Sequence, residues 1–273
     1  MQDLTDYSRL SLNQVTTNRW SAPEAIDGCA RAEVPAIALW RHRIAETGLE
    51  KTRRLVRDAG LRVSGICRGG MFPAATREER AKRIADNREA IDEAAELEAA
   101  TLVLVCGAAP DRDLRAARQM VEDAIAQLVP YAQERHVQLG IEPLHPMLAA
   151  ERSCITSLEE ANNLAEKFDA QTVGIVVDVY HVWWDAMLAR EVARARGRIQ
   201  GFHICDWLTP PPDILLGRGM MGDGCIDIRY IRQLVEGAGY DGSIEVEIFN
   251  QAIWDRPGDE VLQLMKERYL ECV

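Results

Sequence analysis

The sequence predicts a single (β/α)8 barrel, the TIM-barrel fold, as one domain over residues 1–273. Short runs rich in β-branched residues alternate with longer stretches of helical period along the chain. Eight such pairs in 273 residues give about 34 residues per unit, which is typical of this fold. A doubly wound open sheet would place a glycine-rich turn after its first strand, whereas Gln14-Val15-Thr16-Thr17-Asn18 follows here.

The strands are predicted from apolar, β-branched runs, and the helices from Ala-, Glu-, Arg- and Leu-rich stretches between them. In chain order the predicted strands are Arg9–Val15, Val34–Trp40, Leu61–Cys67, Thr101–Cys106, Val137–Glu142, Thr172–Asp178, Ile199–Cys205 and Ser243–Phe249. The predicted helices are Pro23–Ala32, Thr47–Gly60, Arg77–Leu97, Asp113–Arg135, Ser157–Phe168, Asp185–Arg194, Ile228–Gly239 and Asp259–Leu270.

Local signals support several of these helix boundaries. Ser21 precedes a proline and a glutamate, and Ser157 stands three residues before Glu160, which are patterns typical of helix starts. Gly60 and Gly239 stand where a helix has to end before the next strand begins. No linker-like stretch interrupts the alternation, so the chain is expected to form one domain.

Composition excludes several classes of protein. The chain has 32 Lys and Arg against 43 Asp and Glu, a net charge of −11, so it lacks the basic surface of a nucleic-acid binder. No apolar run approaches the ~20 residues that cross a bilayer, and we expect neither a membrane span nor a secretory signal. Seven scattered cysteines without CxxC spacing predict reduced thiols in a cytoplasmic protein.

Polar side chains end four consecutive predicted strands, the fifth to the eighth. In a barrel of this kind, the residues that carry chemistry lie at these C-terminal strand ends. Three carboxylates placed close together would repel one another unless a cation compensates, and oxygen-rich ligand sets favour Mn²⁺, Mg²⁺ or Co²⁺. A divalent metal site is therefore expected from the residues Glu142, Asp178, His203 and Glu247.

Glu245 shares a strand face with Glu247 but lies about 6–7 Å deeper along the strand. Glu247, nearer to the rim, is therefore the better candidate for a metal ligand. Glu245 is expected to be ion-paired inside the barrel.

These residues occur in motifs that resemble those of the xylose isomerase-like TIM-barrel superfamily. Within it, the chain is most similar to the sugar phosphate isomerase/epimerase group, which includes ketose 3-epimerases and inosose-converting enzymes. The resemblance covers nearly the whole chain and is strongest from about Gly140 to Asn250. The motifs are Glu142 in GIEP, Asp178-x-x-His181 in VVDVYH, His203 in GFHICD, the turn Gly222-Asp223-Gly224-x-Ile226-Asp227, and Glu247 in GSIEVE.

The resemblance implies a metal-dependent isomerase or epimerase of a keto sugar, inosose or related polyol. It implies one divalent ion, with Mn²⁺ first and Mg²⁺, Co²⁺ or Zn²⁺ as alternatives, held by the four residues predicted above. Glu142 and Glu247 would also act as the acid/base pair on opposite faces of the sugar. His181 and Arg218 match residues that contact substrate oxygens. A carboxylate would remove a proton next to a metal-bound carbonyl, and an enediolate would form.

His145 departs from the epimerase pattern. It stands between Pro143 and Pro146, in a loop that these residues make rigid, close to Glu142. It either orients Glu142 or acts as an additional catalytic acid/base residue. In the second role it would suit β-elimination by a lyase or dehydratase of a keto sugar or 3-keto glycoside.

Five of the six tryptophans fall near predicted strand ends, and they are Trp40, Trp183, Trp184, Trp207 and Trp254. Trp40 and Trp183 are the candidates for stacking on a substrate, while loop packing or a dimer contact is the alternative for any one of them. Arg41 and Arg68 follow the second and third strands. They would either bind a carboxylate or phosphate or lie solvated at the surface.

Two further readings remain. The superfamily also contains endonuclease IV-type nucleases, whose three-metal site has more histidines. This chain has five histidines in all and a net charge of −11, which argues against that function. A barrel serving as a non-catalytic partner subunit is the reading outside enzymes, and retention of all four ligand positions argues against it. A homo-oligomer is expected by analogy, and the sequence does not exclude a partner subunit.

Substitution of the two neighbouring glutamates should separate chemistry from stability. Glu247→Gln is expected to keep the fold and abolish turnover, since an amide cannot accept the substrate proton. Glu245→Gln is expected to lower the free energy of unfolding by about 1–3 kcal/mol and to affect turnover less. Denaturant unfolding and substrate proton exchange measure the two effects. A Glu247→Gln variant as active as the parent would contradict the assignment.

Overall fold

The computed structural model describes residues 4–273 and shows a closed barrel of eight parallel strands surrounded by helices. The strands are hydrogen-bonded in the order β1-β2-β3-β4-β5-β6-β7-β10, and β10 closes the barrel on β1. The predicted fold class is confirmed. The barrel strands are β1 (Leu10–Asn13), β2 (Ala36–Trp40), β3 (Arg62–Gly70), β4 (Leu102–Val105), β5 (Leu139–Glu142), β6 (Val173–Asp178), β7 (Ile199–Ile204) and β10 (Ile244–Val246).

The helices lie outside the barrel or in the loops at its C-terminal rim. Two short strands, β8 (Asp206–Trp207) and β9 (Arg218–Gly219), pair antiparallel in the segment between β7 and α9. The helices are α1 (Ala22–Arg31), α2 (Arg41–Thr47), α3 (Leu49–Asp58), α4 (Arg77–Glu96), α5 (Leu114–Glu134), α6 (Leu158–Ala165), α7 (Val179–Val182), α8 (Leu188–Arg194), α9 (Ile228–Gly237), α10 (Gln251–Trp254) and α11 (Gly258–Cys272). Two 3-10 helices cover Gln14–Thr17 and Pro146–Leu148.

The second predicted helix, Thr47–Gly60, is wrong at its start. The chain forms α2 directly after β2, and Gly48 separates α2 from α3 with a φ of +89°, a conformation that favours glycine. Residues 41–47 are polar except for Ile44 and Ala45, so they carry too little helical periodicity to be recognised. The short helices α7 and α10 and the β8–β9 pair were also not predicted, because they are too short for a periodic pattern.

Helix boundaries follow the predicted signals. Ser21 and Glu24 form a full capping box at α1, and the Ser157 side chain accepts the backbone N–H of Glu160 at α6. The Glu160 carboxylate binds the N–H of Thr156 rather than that of Ser157, so the second box is incomplete.

Inside the barrel, a polar layer lies beneath the C-terminal rim. Leu10 and Leu12 of β1 belong to the apolar core, while Ser11 and Asn13 alternate with them and are also buried. The hydroxyl of Ser11 lies 2.7 Å from that of Ser64 on β3. The barrel interior is therefore able to hold buried charged groups through hydrogen bonds.

All seven cysteines are free thiols, and Cys225 is the exposed one. Burial raises the pKa of Cys67, Cys106 and Cys205 well above its usual value. These side chains therefore serve as small core residues at neutral pH. None of the helices within residues 4–273 is long and apolar enough to span a bilayer.

Candidate metal centre

The four predicted ligands meet at the C-terminal ends of four adjacent strands. Glu142 ends β5, Asp178 ends β6, His203 lies in β7, and Glu247 directly follows β10. Each is buried and offers one ligand atom, and these atoms all lie within 4.8 Å of one another. This is the one group of its kind in the part of the chain that the structure describes.

The residues fit a divalent cation. Glu142 Oε1 and His203 Nδ1 are 3.2 Å apart, yet neither atom has a hydrogen-bond partner within residues 4–273. Burial raises the pKa of Glu142 to about 7, and the nearby Glu247 carboxylate adds to the shift. Buried carboxylates this close are costly without a compensating charge, and a cation bound to both unpaired atoms would supply it.

Glu245, which lies deeper in the barrel, pairs with the imidazole of His203. His203 Nε2 lies 3.4 Å from Glu245 Oε1, while the Glu245 carboxylate accepts hydrogen bonds from Asn13 Nδ2 (2.7 Å) and Ser64 Oγ (2.7 Å). Burial alone would lower the pKa of His203, but the carboxylates of Glu245, Glu142 and Glu247 raise it well above its usual value. Glu245 therefore lies deeper and pairs with a charged partner, as predicted. With Nε2–H directed to Glu245, Nδ1 is the nitrogen that would bind a metal.

Arg218, on β9, lies in the centre of the site. Its Nη1 donates to Asp178 Oδ2 (2.8 Å) and to Glu247 Oε2 (3.0 Å), and its guanidinium stacks on the rings of Tyr180 and Phe249. Burial would raise the pKa of Asp178, but the charge of Arg218, the two nearby histidines and the backbone N–H of Tyr180 together outweigh burial and lower it. The arginine thus helps to keep Asp178 ionised and within reach of a metal. Its contact with substrate stays a prediction.

His181 is neutral at physiological pH, because burial lowers its pKa to about 3. Its Nδ1 accepts the backbone N–H of His145 (3.2 Å), which places the single ring proton on Nε2. Nε2 lies 3.6 Å from Asp178 Oδ2 and 3.2 Å from Arg218 Nη2. The ring is therefore positioned as a hydrogen-bond donor beside the metal ligands, and its role toward substrate stays a prediction.

His145 is half-buried among aromatic rings. Its ring centroid lies 5.3 Å from those of Trp184 and Trp207, and its Nδ1 accepts the N–H of Met147 (3.2 Å). Within residues 4–273 its side chain forms no hydrogen bond with Glu142, so no contact supports the orienting role. Burial lowers its pKa, which leaves the ring neutral with its proton on Nε2. The acid/base role stays a prediction.

The tryptophans have different roles at the rim. Trp40 donates from Nε1 to Asn13 Oδ1 (2.8 Å), and Asn13 Nδ2 donates to Glu247 Oε1 (3.0 Å). Trp183 packs on Trp207 at 5.5 Å between centroids, and its buried Nε1 has no hydrogen-bond partner among the described residues. Trp254 packs on Phe249 instead. Trp40 is thus connected to Glu247 through the amide of Asn13, whereas Trp183 packs on Trp207.

Asn13 is the residue of this site that sequence reasoning missed. It ends β1 and donates hydrogen bonds to both Glu245 and Glu247. The rule that predicted the candidate metal ligands, a polar residue at a strand end, applies to it as well. It was not predicted because an amide neither titrates nor commonly binds a metal, and the prediction was restricted to side chains that do.

The sequence model of a family described as a xylose isomerase-like TIM barrel matches residues 26–268 of the chain. The protein SMc04130 of Sinorhizobium meliloti 1021 is 47% identical, with 98% of this chain and 99% of that one covered and a TM-score of 0.95. None of the curated proteins matches.

Two more distant structures share the fold. The IolI protein with a binding zinc atom is 17% identical, with 96% of this chain and 97% of that one covered and a TM-score of 0.83. The 3-keto-D-glucoside 4-epimerase YcjR from E. coli is 18% identical, with 92% of this chain and 94% of that one covered and a TM-score of 0.74.

Metal affinity should depend on pH with a predictable sign. Mn²⁺ has to displace the proton of Glu142, whose pKa is about 7 in the metal-free protein, and a further proton from His203. The apparent affinity is therefore expected to fall at least about tenfold from pH 8 to pH 6.

Calorimetry of the chelator-treated protein in buffers of different ionisation enthalpy measures both affinity and proton release. An affinity that does not change with pH, with no proton released, would contradict this arrangement.

Proposed function

The chain belongs to the xylose isomerase-like TIM-barrel family, and from this premise we propose that it is a metal-dependent isomerase or epimerase. We propose a keto sugar, an inosose or a related polyol as the substrate. The observation that carries the proposal is the buried cluster of Glu142, Asp178, His203 and Glu247, which would hold the metal. The fold shared with a 3-keto-D-glucoside 4-epimerase supports the substrate class.

A bound divalent ion would supply a Lewis acid that draws electron density from the substrate carbonyl and its neighbouring hydroxyl. We propose Mn²⁺, because three of the four ligands are carboxylates, while the zinc bound to IolI makes Zn²⁺ the first alternative to test.

The two glutamates are suited to proton transfer. Glu247 accepts hydrogen bonds from Asn13 Nδ2 (3.0 Å) and Arg218 Nη1 (3.0 Å), which fix the orientation of its carboxylate for a role as the base. Glu142, with a pKa raised to about 7 in the metal-free protein, is able to exchange a proton near neutral pH. One carboxylate would remove a proton from the carbon next to the carbonyl, and the other would return a proton to the opposite face of that carbon, which inverts its configuration. Return of the proton to the former carbonyl carbon, with a proton transferred between the two oxygens, would instead move the carbonyl by one position.

The residues around the glutamates would orient the substrate. His181 directs an Nε2–H donor next to Asp178, and Arg218 donates to both Asp178 and Glu247. Trp40 and Trp183 would contact the substrate from the rim. Nucleic acid is not proposed as a substrate, because the chain carries a net charge of −11 and one ligand cluster in its described residues.

A lyase or dehydratase of a keto sugar or 3-keto glycoside is the second candidate, and His145 favours it. Its neutral ring, with the proton on Nε2, lies between Trp184 and Trp207 at the rim. A donor at this place would protonate a leaving group during β-elimination. His145→Ala would then abolish elimination with metal affinity intact, whereas an epimerase would retain most of its turnover.

Titration of chelator-treated protein with Mn²⁺, followed by proton exchange of keto sugars and inososes in D₂O, tests the proposal. One site per chain and deuterium incorporation next to the carbonyl are expected. Asp178→Ala should lose both, while Asp58→Ala, an exposed carboxylate at the end of α3, should lose neither.

Metal binding without deuterium exchange in any keto sugar or inosose would contradict the isomerase and epimerase. Three metal sites would instead favour a nuclease-type barrel.

A further inference from the structure

Two arginines at the rim of the barrel form no ion pair with any residue that the structure describes. Arg68 lies near the end of β3, and Arg152 lies in the loop between the 3-10 helix Pro146–Leu148 and α6. Within residues 4–273 neither guanidinium forms a hydrogen bond or an ion pair. Both side chains are half-buried, so water replaces the missing partners only in part.

The neighbouring Arg41 shows what a structural arginine looks like here. Its Nε donates to Glu93 (2.7 Å) and its Nη1 to Asp86 (2.9 Å), both on α4. Two of the carboxylates at this part of the rim are thus already paired. Arg68 lines the same cavity of about 330 Å³ as Arg41 and Asp86 but takes no part in these ion pairs.

The loop after β5 brings the second arginine toward the first. Ser153, next to Arg152, forms a β-bridge with Gly107, which follows β4, the neighbour of β3 in the barrel. Burial and the like charge of Arg152 together lower the pKa of Arg68. The carboxylates of Glu142 and Asp86 offset this lowering of the Arg68 pKa only in part, and an anionic group between the two guanidinium groups would relieve their repulsion.

Both arginines belong to segments that adjoin the candidate metal centre, and the charge of Glu142 acts on Arg68. Cys67, the residue before Arg68, is buried with its Sγ 3.6 Å from Asn13 Nδ2, which donates to Glu247. Arg152 belongs to the loop that follows Glu142. The pair thus lies on the β3–β5 side of the rim, opposite the strands that carry His203 and Glu247.

We propose that Arg68 and Arg152 form a subsite for an anionic group, a carboxylate or a phosphate, carried by the substrate. This inference rests on the proposed function and deepens it, because it makes the substrate an anionic keto sugar. Guanidinium groups suit both anions, since their N–H donors match two oxygens at once.

Calorimetric titration of the Mn²⁺-loaded protein tests the subsite. Inorganic phosphate and gluconate are the anionic probes, and glucitol is the neutral counterpart of gluconate. At least one anion is expected to bind, with Kd raised about tenfold or more in Arg68→Gln and in Arg152→Gln. Arg68→Lys should recover part of the affinity. Arg57→Gln, an exposed arginine paired with Asp58 at the other end of the barrel, loses the same charge and should bind like the parent.

The choice of anion identifies the source of the charge. Binding of phosphate alone indicates a phosphate ester, and binding of gluconate but not glucitol indicates a sugar acid. Binding of neither anion would overturn the subsite, and so would equal affinity in the parent and in both glutamine variants.

The two proposals fail in different ways. If an anion binds through the arginines but no keto sugar exchanges deuterium, the proposed function fails and the subsite stands. If neutral keto sugars exchange deuterium and the arginine substitutions change nothing, the subsite fails and the proposed function stands.

Discussion

The packing of like charges at one end of the barrel is the constraint on which the site depends. Glu142, Asp178, Glu245 and Glu247 are all buried there, and Arg218 and His203 supply the positive charge that faces them. Four carboxylates against one guanidinium and one imidazole leave an excess of negative charge, which a divalent cation would neutralise. The parallel strands impose this arrangement, because each delivers its last residues to the same rim.

A second layer makes the site rigid. The hydroxyls of Ser11 and Ser64 and the amide of Asn13 lead to Glu245, and Glu245 faces the imidazole of His203. Each of these groups has its hydrogen-bonding partner inside the barrel, so the imidazole has one preferred orientation. Such a layer lowers the cost of reorganisation when a metal binds, since the ligands are already close together.

The sequence predicted the barrel and the place where the four candidate metal ligands meet, because both follow from local rules. A strand end with a titratable residue is visible in a single segment, as for Asp178 or Glu247. Roles that depend on distant partners were not visible. Arg41 and Arg68 look alike in sequence and differ only because α4 directs two carboxylates to one of them. Likewise, the backbone N–H of His145, which fixes the ring of His181, carries no signal in the residue type.

The hydrogen bonds of Asn13 have a consequence for any attempt to change the specificity of this barrel. Its amide accepts the indole N–H of Trp40 and donates to Glu247, so one side chain joins the rim to the carboxylate proposed as the base. A residue at position 40 that cannot donate a hydrogen bond would remove one of the contacts that orient this amide, leaving Val15 N–H and Glu245 to hold it, and would so loosen one of the two donors to Glu247. A substitution of Trp40 that is selected to admit a new substrate would therefore also change the environment of the proposed base and, with it, the turnover rate.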